Sequence, residues 1–169
     1  MPQDQSLSDQ NQESAAPRGE TFRLRTPLLR KGRSHNILAA TKGPHGAMNI
    51  AIKCYAEGGE NEFHTHAIED HTFIVLQGRA CFHQPELPDQ ELGRNEGILL
   101  PAGAYYRFEQ IGDEPLVLLR VGNAYQPPKT PVVAAASQRL GRDGQYMEAT
   151  SKENRGGTER EAIEGAFYE

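Results

Sequence analysis

Apolar residues along this chain come in short runs separated by Gly, Pro and Asn, and no sustained helical period joins them. Such runs, spaced about 8–12 residues apart, are typical of an all-β sandwich or barrel. The run from Met48 to Tyr55 alternates only loosely, which indicates a strand covered on both faces. The predicted strands are Phe22 to Arg25, Asn36 to Ala40, Met48 to Ala56, Thr72 to Gln77, Arg79 to His83, Gly97 to Leu100, Tyr105 to Ile111 and Leu116 to Val121.

Two connections between these strands carry turn signals. Gln77-Gly78-Arg79 predicts a tight hairpin in which Gly78 adopts a positive φ. The charged stretch from Pro85 to Asn95 predicts a loop that carries a short edge strand.

The two ends of the chain differ from its middle. Residues 1–20 are polar and nearly free of large apolar side chains, so we expect a disordered N-terminal tail. Residues 126–169 begin with a proline-containing spacer and predict an extended C-terminal tail, in which Glu159 to Phe167 can form about two helical turns. Residues 21–125 then form one barrel domain.

Composition and charge exclude several classes of function. The net charge of −5 argues against a nucleic-acid partner and against a basic membrane-surface helix. No apolar stretch approaches the roughly 20 residues that span a bilayer, and the polar N-terminus lacks the apolar segment of a secretory signal. Cys54 and Cys81 lie in strand-like runs, so we expect reduced, buried thiols in a cytoplasmic protein.

The main candidate chemistry is a group of histidines. Three of the chain's six histidines lie within eight residues, at positions 64, 66 and 71. If this segment is extended, His64 and His66 point to the same side, because side chains alternate faces along a strand. His71 begins the apolar run that follows. Three neutral imidazoles that converge in this way can bind a first-row transition metal.

Two motifs in the middle of the chain resemble the signatures of the cupin family. The first is Gly58-x5-His64-x-His66-x4-His71-x6-Gly78, and the second is Asn95-x5-Pro101-Ala102-Gly103-x2-Tyr106-x3-Gln110. The spacing of both signatures is kept, and together with the flanking strands they cover residues 21–125. The resemblance implies a small antiparallel jelly-roll barrel, usually dimeric, with its site inside.

By resemblance, the metal ligands correspond to His64, His66, His71 and Tyr106. His71 stands where cupins have Glu, and Tyr106 stands where they have His. Tyr106 is therefore expected either as a fourth ligand or as a catalytic acid, base or hydrogen-bond donor. Asn95 replaces the first glycine of the second signature, and we expect nearby Gly97 to provide its turn.

The resemblance also implies a function. It predicts a homodimeric cupin that binds one divalent transition metal (Fe, Mn, Ni, Cu or Zn, with Fe or Zn favoured) and acts on a small anionic organic molecule. Oxygenase chemistry, as in dioxygenases, is favoured over isomerase or lyase chemistry. The alternative is a metal-free cupin that binds a small metabolite without catalysis.

A few other side chains are secondary candidates. Glu69 and Asp70 precede His71 in what is expected to be a loop, so they are either solvated charges or replacements for the missing carboxylate. His83 is either a structural residue or part of the barrel lining. Any arginine that faces inward from its strand can pair with a substrate carboxylate. The alternation of side chains along the strands does not show which of Arg79, Arg107 and Arg120 faces inward.

Overall fold

The computed structural model describes residues 18–43, 46–59, 62–124, 139–140, 146–147 and 159–169. Within these ranges the secondary structure consists of strands, and no helix that is long and apolar enough to cross a membrane occurs among them. The strands are β1 (Thr26–Lys31), β2 (Arg33–Gly43), β3 (Gly46–Tyr55), β4 (Thr65–His66), β5 (Glu69–Gln77), β6 (Arg79–His83), β7 (Gln90–Leu92), β8 (Gly97–Leu100), β9 (Arg107–Ile111), β10 (Leu116–Ala124), β11 (Arg139–Leu140), β12 (Tyr146–Met147) and β13 (Glu161–Tyr168).

These strands form four antiparallel sheets. The largest has the order β2-β3-β10-β5-β8, and two three-stranded sheets have the orders β7-β6-β9 and β12-β11-β4. The fourth sheet pairs β1 with β13. The fold is an all-β jelly roll, which confirms the fold class predicted from the sequence.

The barrel core lies between the five-stranded sheet and the β7-β6-β9 sheet. Phe73 of β5 packs against Phe82 of β6 and Phe108 of β9, with ring centroids 5.7 and 5.5 Å away. Leu118 of β10 and Tyr106, just before β9, belong to the same buried cluster. The apolar core therefore continues up to the residues of the second motif.

A second core covers the opposite face of the five-stranded sheet. Ile52 and Cys54 of β3 and Val117 of β10 pack with Leu29 of β1 there, and Tyr168 of β13 packs against this cluster. The strand from Ala51 to Tyr55 is thus covered on both faces, as its weak alternation predicts, whereas Met48 at the start of the predicted run is 43% exposed. Cys54 and Cys81 are both free thiols and both buried, as expected.

Two predicted elements at the ends of the barrel are wrong. The run from Phe22 to Arg25 forms no strand; β1 begins at Thr26, where the chain first becomes buried, while Phe22 is exposed. The stretch from Glu159 to Phe167 contributes the strand β13 rather than helical turns. Its apolar residues have helix-like spacing because a bulge around Gly165, at φ 69°, shifts the pairing with β1.

The predicted hairpin at Gly78 also differs from the structure. Gly78 does adopt a positive φ of 74°, but β5 and β6 belong to different sheets, so it turns the chain from one sheet to the other. The expected short edge strand between Pro85 and Asn95 is present as β7. The predicted disorder of residues 1–17 and most of the proline-containing tail lie outside the described residues.

Candidate metal centre

The two cupin-like motifs meet through a backbone bridge. The N–H of His64 donates to the carbonyl of Tyr106 at 3.1 Å, and the N–H of Tyr106 donates to the carbonyl of His64 at 3.0 Å. Both side chains are buried, and their ring centroids are 4.5 Å apart. The second motif is thus held directly against the first.

A close group of metal-binding donors forms at His66, Glu69 and His71. Their ligand atoms all lie within 4.8 Å of one another. Glu69 Oε2 is 3.3 Å from His71 Nε2 and 3.8 Å from His66 Nδ1. The sequence brings His66 into this group because β4 ends there and β5 begins only three residues later.

The loop expected around Glu69 is absent, because this residue belongs to a strand. It is the first residue of β5, two positions before His71, so both side chains lie on the same face of the strand. Asp70 points to the other side, is exposed and accepts a hydrogen bond from the Ala102 N–H at 2.7 Å. Glu69 is therefore the carboxylate of this donor group, and Asp70 stabilises the turn of the second motif.

Among the three arginines considered from the sequence, Arg120 is the one that faces inward. It lies on β10 in register with Phe73 and is only 8% exposed. Its guanidinium donates to Glu69 Oε1 at 2.6 Å and also contacts Asn49 Oδ1 and His71 Nε2. Arg79 and Arg107 instead pair with Glu91 and Glu109 of the β7-β6-β9 sheet.

Space for this cluster comes from Gly122 of β10, which pairs with both Asn49 and His71. A Cβ at Gly122 would overlap Glu69 Oε1 and would lie 2.8 Å from an Arg120 nitrogen. The glycine therefore lets the carboxylate and the guanidinium cross the sheet surface. Gly122 and Asn49 carry no signal in the sequence, because only the sheet register brings them beside this cluster.

Both ring nitrogens of His71 have polar neighbours. Nε2 lies 3.3 Å from Glu69 Oε2 and also contacts the Arg120 guanidinium. Nδ1 lies 3.0 Å from the Tyr106 hydroxyl, with which it forms a hydrogen bond. Tyr106 thus orients the ring through the nitrogen that faces away from the metal-binding group, as outer partners of metal-ligating histidines do.

Burial and charge set the protonation of this cluster. Burial is the largest influence on Glu69 and would raise its pKa, but the hydrogen bond with His71 and the charge of Arg120 together hold that pKa well below its ordinary value. Burial also lowers the pKa of His71, and Arg120 lowers it further against the opposing effect of Glu69. An ionised carboxylate beside a neutral imidazole is the state that metal ligation requires.

His64 lies beside this group. Its Nδ1–H donates to the Glu62 carbonyl at 2.8 Å, and its ring centroid is 5.2 Å from that of His66. The ligand role of His64 stays a prediction, as does that of Tyr106.

The turn of the second motif is built differently from the expectation. Asn95 itself adopts the left-handed conformation, with φ 69°, and its N–H donates to the Val75 carbonyl at 2.8 Å. Gly97 lies in β8, where a Cβ would come within 2.6 Å of the Phe73 carbonyl. Asparagine tolerates positive φ better than most residues, so it can replace the glycine of the signature.

The donor set of His66, Glu69 and His71 fits a divalent transition metal. Two imidazoles and one carboxylate form a recognised ligand set that leaves further coordination positions open. Arg120 opposes a metal, since its charge lies against two of the three donors. Its guanidinium has to withdraw from His71 Nε2 before that nitrogen can ligate.

Fold and site together define a jelly-roll barrel with a histidine- and carboxylate-lined interior. Residues 51–122 match the family model described as a cupin domain. Residues 51–122 are therefore a cupin domain, as the motifs predict. No curated protein matches the chain in sequence.

Several solved structures are similar to the model. The cupin domain of Cnp3 from Schizosaccharomyces pombe is 18% identical, with a TM-score of 0.49, and the match covers 58% of this chain and 68% of that one. KdgF from Halomonas sp. is 15% identical, with a TM-score of 0.47 and coverage of 56% and 81%. The DMSP lyase DddQ from Ruegeria pomeroyi DSS-3 is 16% identical, with a TM-score of 0.47 and coverage of 68% and 53%.

Proposed function

We propose that this cupin binds one divalent transition metal through His66, Glu69 and His71 and acts on a small anionic organic molecule. The observation that supports this most directly is the convergence of the three ligand side chains within 4.8 Å. Homodimeric assembly and a cytoplasmic location remain predictions from the sequence.

The donor set favours oxygenase chemistry over isomerase or lyase chemistry. A facial set of two histidines and one carboxylate is the ligand arrangement of non-haem Fe(II) oxygenases. A metal bound there supplies Lewis acidity and open coordination positions. Relative to the three-histidine set expected from the sequence, Glu69 adds the carboxylate that the first motif lacks at position 71.

Arg120 gives the site its preference for an anion. In the structure the positive charge of Arg120 is balanced by the Glu69 carboxylate. With Glu69 holding a divalent cation, the Arg120 guanidinium would be available as the donor for a substrate carboxylate, which it could bind through two parallel hydrogen bonds. Tyr106 keeps His71 oriented while this exchange takes place.

The test is the metal content of purified protein, measured by mass spectrometry for the wild type and three variants. We expect His66→Ala and Glu69→Gln each to lose one equivalent of metal. Glu62→Gln changes an exposed carboxylate beside the same segment and is the matched control, which should retain it. Equal metal content in all four proteins, or no metal after reconstitution with Fe(II) and Zn(II), would exclude the proposed site.

The second candidate is a metal-free cupin that binds an acidic metabolite without catalysis. The contact of Arg120 with both Glu69 and His71 favours it, because the guanidinium already occupies the position of a cation. This function predicts that small carboxylates raise the melting temperature equally with and without a chelator. A stabilisation that disappears with the chelator supports the metal-dependent function instead.

A further inference from the structure

A second group of potential ligands lies on the β7-β6-β9 sheet, away from the barrel interior. Ala80 and Phe82 of β6 point into the core, so Cys81 and His83 lie on the opposite face of the strand. The ligand atoms of Cys81, His83 and Asp89 all lie within 4.8 Å of one another. We propose that these three residues form a zinc site on the outer face of this sheet.

The chemistry of the three donors selects zinc. Thiolate, imidazole and carboxylate are the ligand types that Zn²⁺ takes in four-coordinate sites, and the sulfur disfavours Mg²⁺ and Ca²⁺. All three donors lie within nine residues of chain, on β6 and the connection that follows it. As the Zn–S bond forms, the thiol proton leaves to solvent, and a water molecule completes the fourth position.

His83 is already oriented for ligation. Its Nε2 is 3.0 Å from Glu109 Oε1, while its Nδ1 is 2.7 Å from Asp89 Oδ1. A carboxylate bound to one ring nitrogen is the usual outer partner of a metal-ligating histidine. In the proposed site His83 donates a hydrogen bond from Nε2–H to the Glu109 carboxylate, and its Nδ1 binds zinc together with Asp89.

The surroundings of Cys81 also suit a cation. In register its neighbours are Glu91 and Glu109, so the thiol is shielded by polar side chains rather than by the core. Arg79 pairs with Glu91 at 2.6 Å and Arg107 pairs with Glu109 at 3.2 Å, which balances those two charges. Asp89 has no such arginine among the ion pairs of the described residues and contributes the excess negative charge.

Cobalt spectroscopy on the full chain tests the site, since Co²⁺ substitutes for zinc and a cobalt–thiolate bond gives a sulfur-to-metal charge-transfer band. The barrel site contains no cysteine, so metal bound there gives no such band. We expect the band in the wild type and in Cys54→Ser, the matched control in the second core, and its complete loss in Cys81→Ser.

Two further variants test the site even if Cys81→Ser does not fold. Asp89 is exposed, so Asp89→Asn should fold normally and weaken Co²⁺ binding by about tenfold or more. Glu109→Gln should keep the band but weaken binding by about 10–100-fold, as expected for a positioning residue. No band in the folded wild type, a band that survives in Cys81→Ser, or full affinity in Asp89→Asn would each overturn the proposal.

Discussion

At the scale of single residues, Arg120 needs partners because a charge with so little access to water is costly to bury. Glu69, Asn49 and His71 provide them, and Gly122 leaves the space in which they meet. In the proposed function the same guanidinium competes with a metal for Glu69 and His71. That function therefore couples metal binding to the electrostatic stability of the barrel at this one side chain.

Replacing Arg120 with methionine should separate the two effects. Without Arg120 the half-buried Glu69 carboxylate loses its charge balance and keeps only the hydrogen bond from Asn49 on Oε1, so we expect the metal-free protein to lose about 3 kcal/mol of unfolding free energy. Metal should restore most of that loss and should bind more tightly than in the wild type, because a competing cation is gone. Urea denaturation with and without a chelator, together with metal titration, measures both quantities.

Arg79→Met is the control for this experiment. Arg79 pairs with Glu91 at the surface, where both side chains are more than half exposed, so its loss should cost less than about 1 kcal/mol. Equal costs for the two arginine variants, or unchanged metal affinity in Arg120→Met, would contradict the coupling.

At the scale of elements, β13 is the strand that closes the second core. It pairs with β1, and Tyr168 packs against the cluster around Leu29. Ion pairs such as Arg25 to Glu169 and Arg30 to Glu161 flank it, but their side chains are about half exposed or more. Such pairs contribute little, so apolar contact and backbone pairing hold the strand in place.

Tyr168→Ala should therefore lower the unfolding free energy by about 1–2 kcal/mol, since a partly buried aromatic side chain is lost. Glu164→Ala, an exposed change on the same strand, should stay within about 0.5 kcal/mol of the wild type. Thermal melts in low and high salt provide the measurement. A Tyr168→Ala protein as stable as Glu164→Ala would mean that β13 does not contribute through this contact.

The elements also explain how far the sequence could predict the structure. The bounds of β6 and β8 match their predicted runs, because both are short strands with turn residues on either side. That β13 is a strand could not be predicted from its own residues. Its partner β1 lies more than a hundred residues earlier, and a bulge interrupts the alternation of apolar and polar side chains. Periodicity describes the environment of a strand, but it does not identify a distant partner.

The same limit applies to the site. The spacing of His64, His66 and His71 indicates a metal centre directly from the chain. The position of Glu69 depends on where β5 begins, and the choice of Arg120 among three arginines depends on the pairing of β10 with β3 and β5. Both are set by sheet register, which local sequence does not encode.

At the scale of the whole molecule, the five-stranded sheet is shared by two apolar cores, so its stability governs the site as well. His35 on the edge strand β2 is one group through which pH acts on that stability. Partial burial lowers the pKa of His35 to about 4, and Lys53, Arg120 and Arg33 add to the effect. Much of the residue still remains accessible to water, which screens these charges and keeps the effect on stability modest.

The pKa of His35 is lower in the folded protein than in the unfolded chain, and this difference sets how stability changes with pH. Below its ordinary value of 6.5 the unfolded chain binds a proton that the folded protein does not, so stability should fall as the pH drops from 6.5 toward 4. His35→Asn should make this decline shallower. Urea denaturation of both proteins at pH 7.5 and 5 tests it; parallel declines would show that His35 has no part in it.

The contact between Tyr106 and His71 allows the site to be monitored by tyrosine fluorescence. The chain contains no tryptophan, so tyrosine dominates its ultraviolet emission. The Tyr106 hydroxyl is 3.0 Å from His71 Nδ1, and the two rings are buried together. A cation that binds to the far side of the His71 ring should change the emission of this tyrosine, and Tyr106→Phe should remove that component of the signal. The protein thus carries its own fluorescent reporter beside the candidate metal centre, with no label attached.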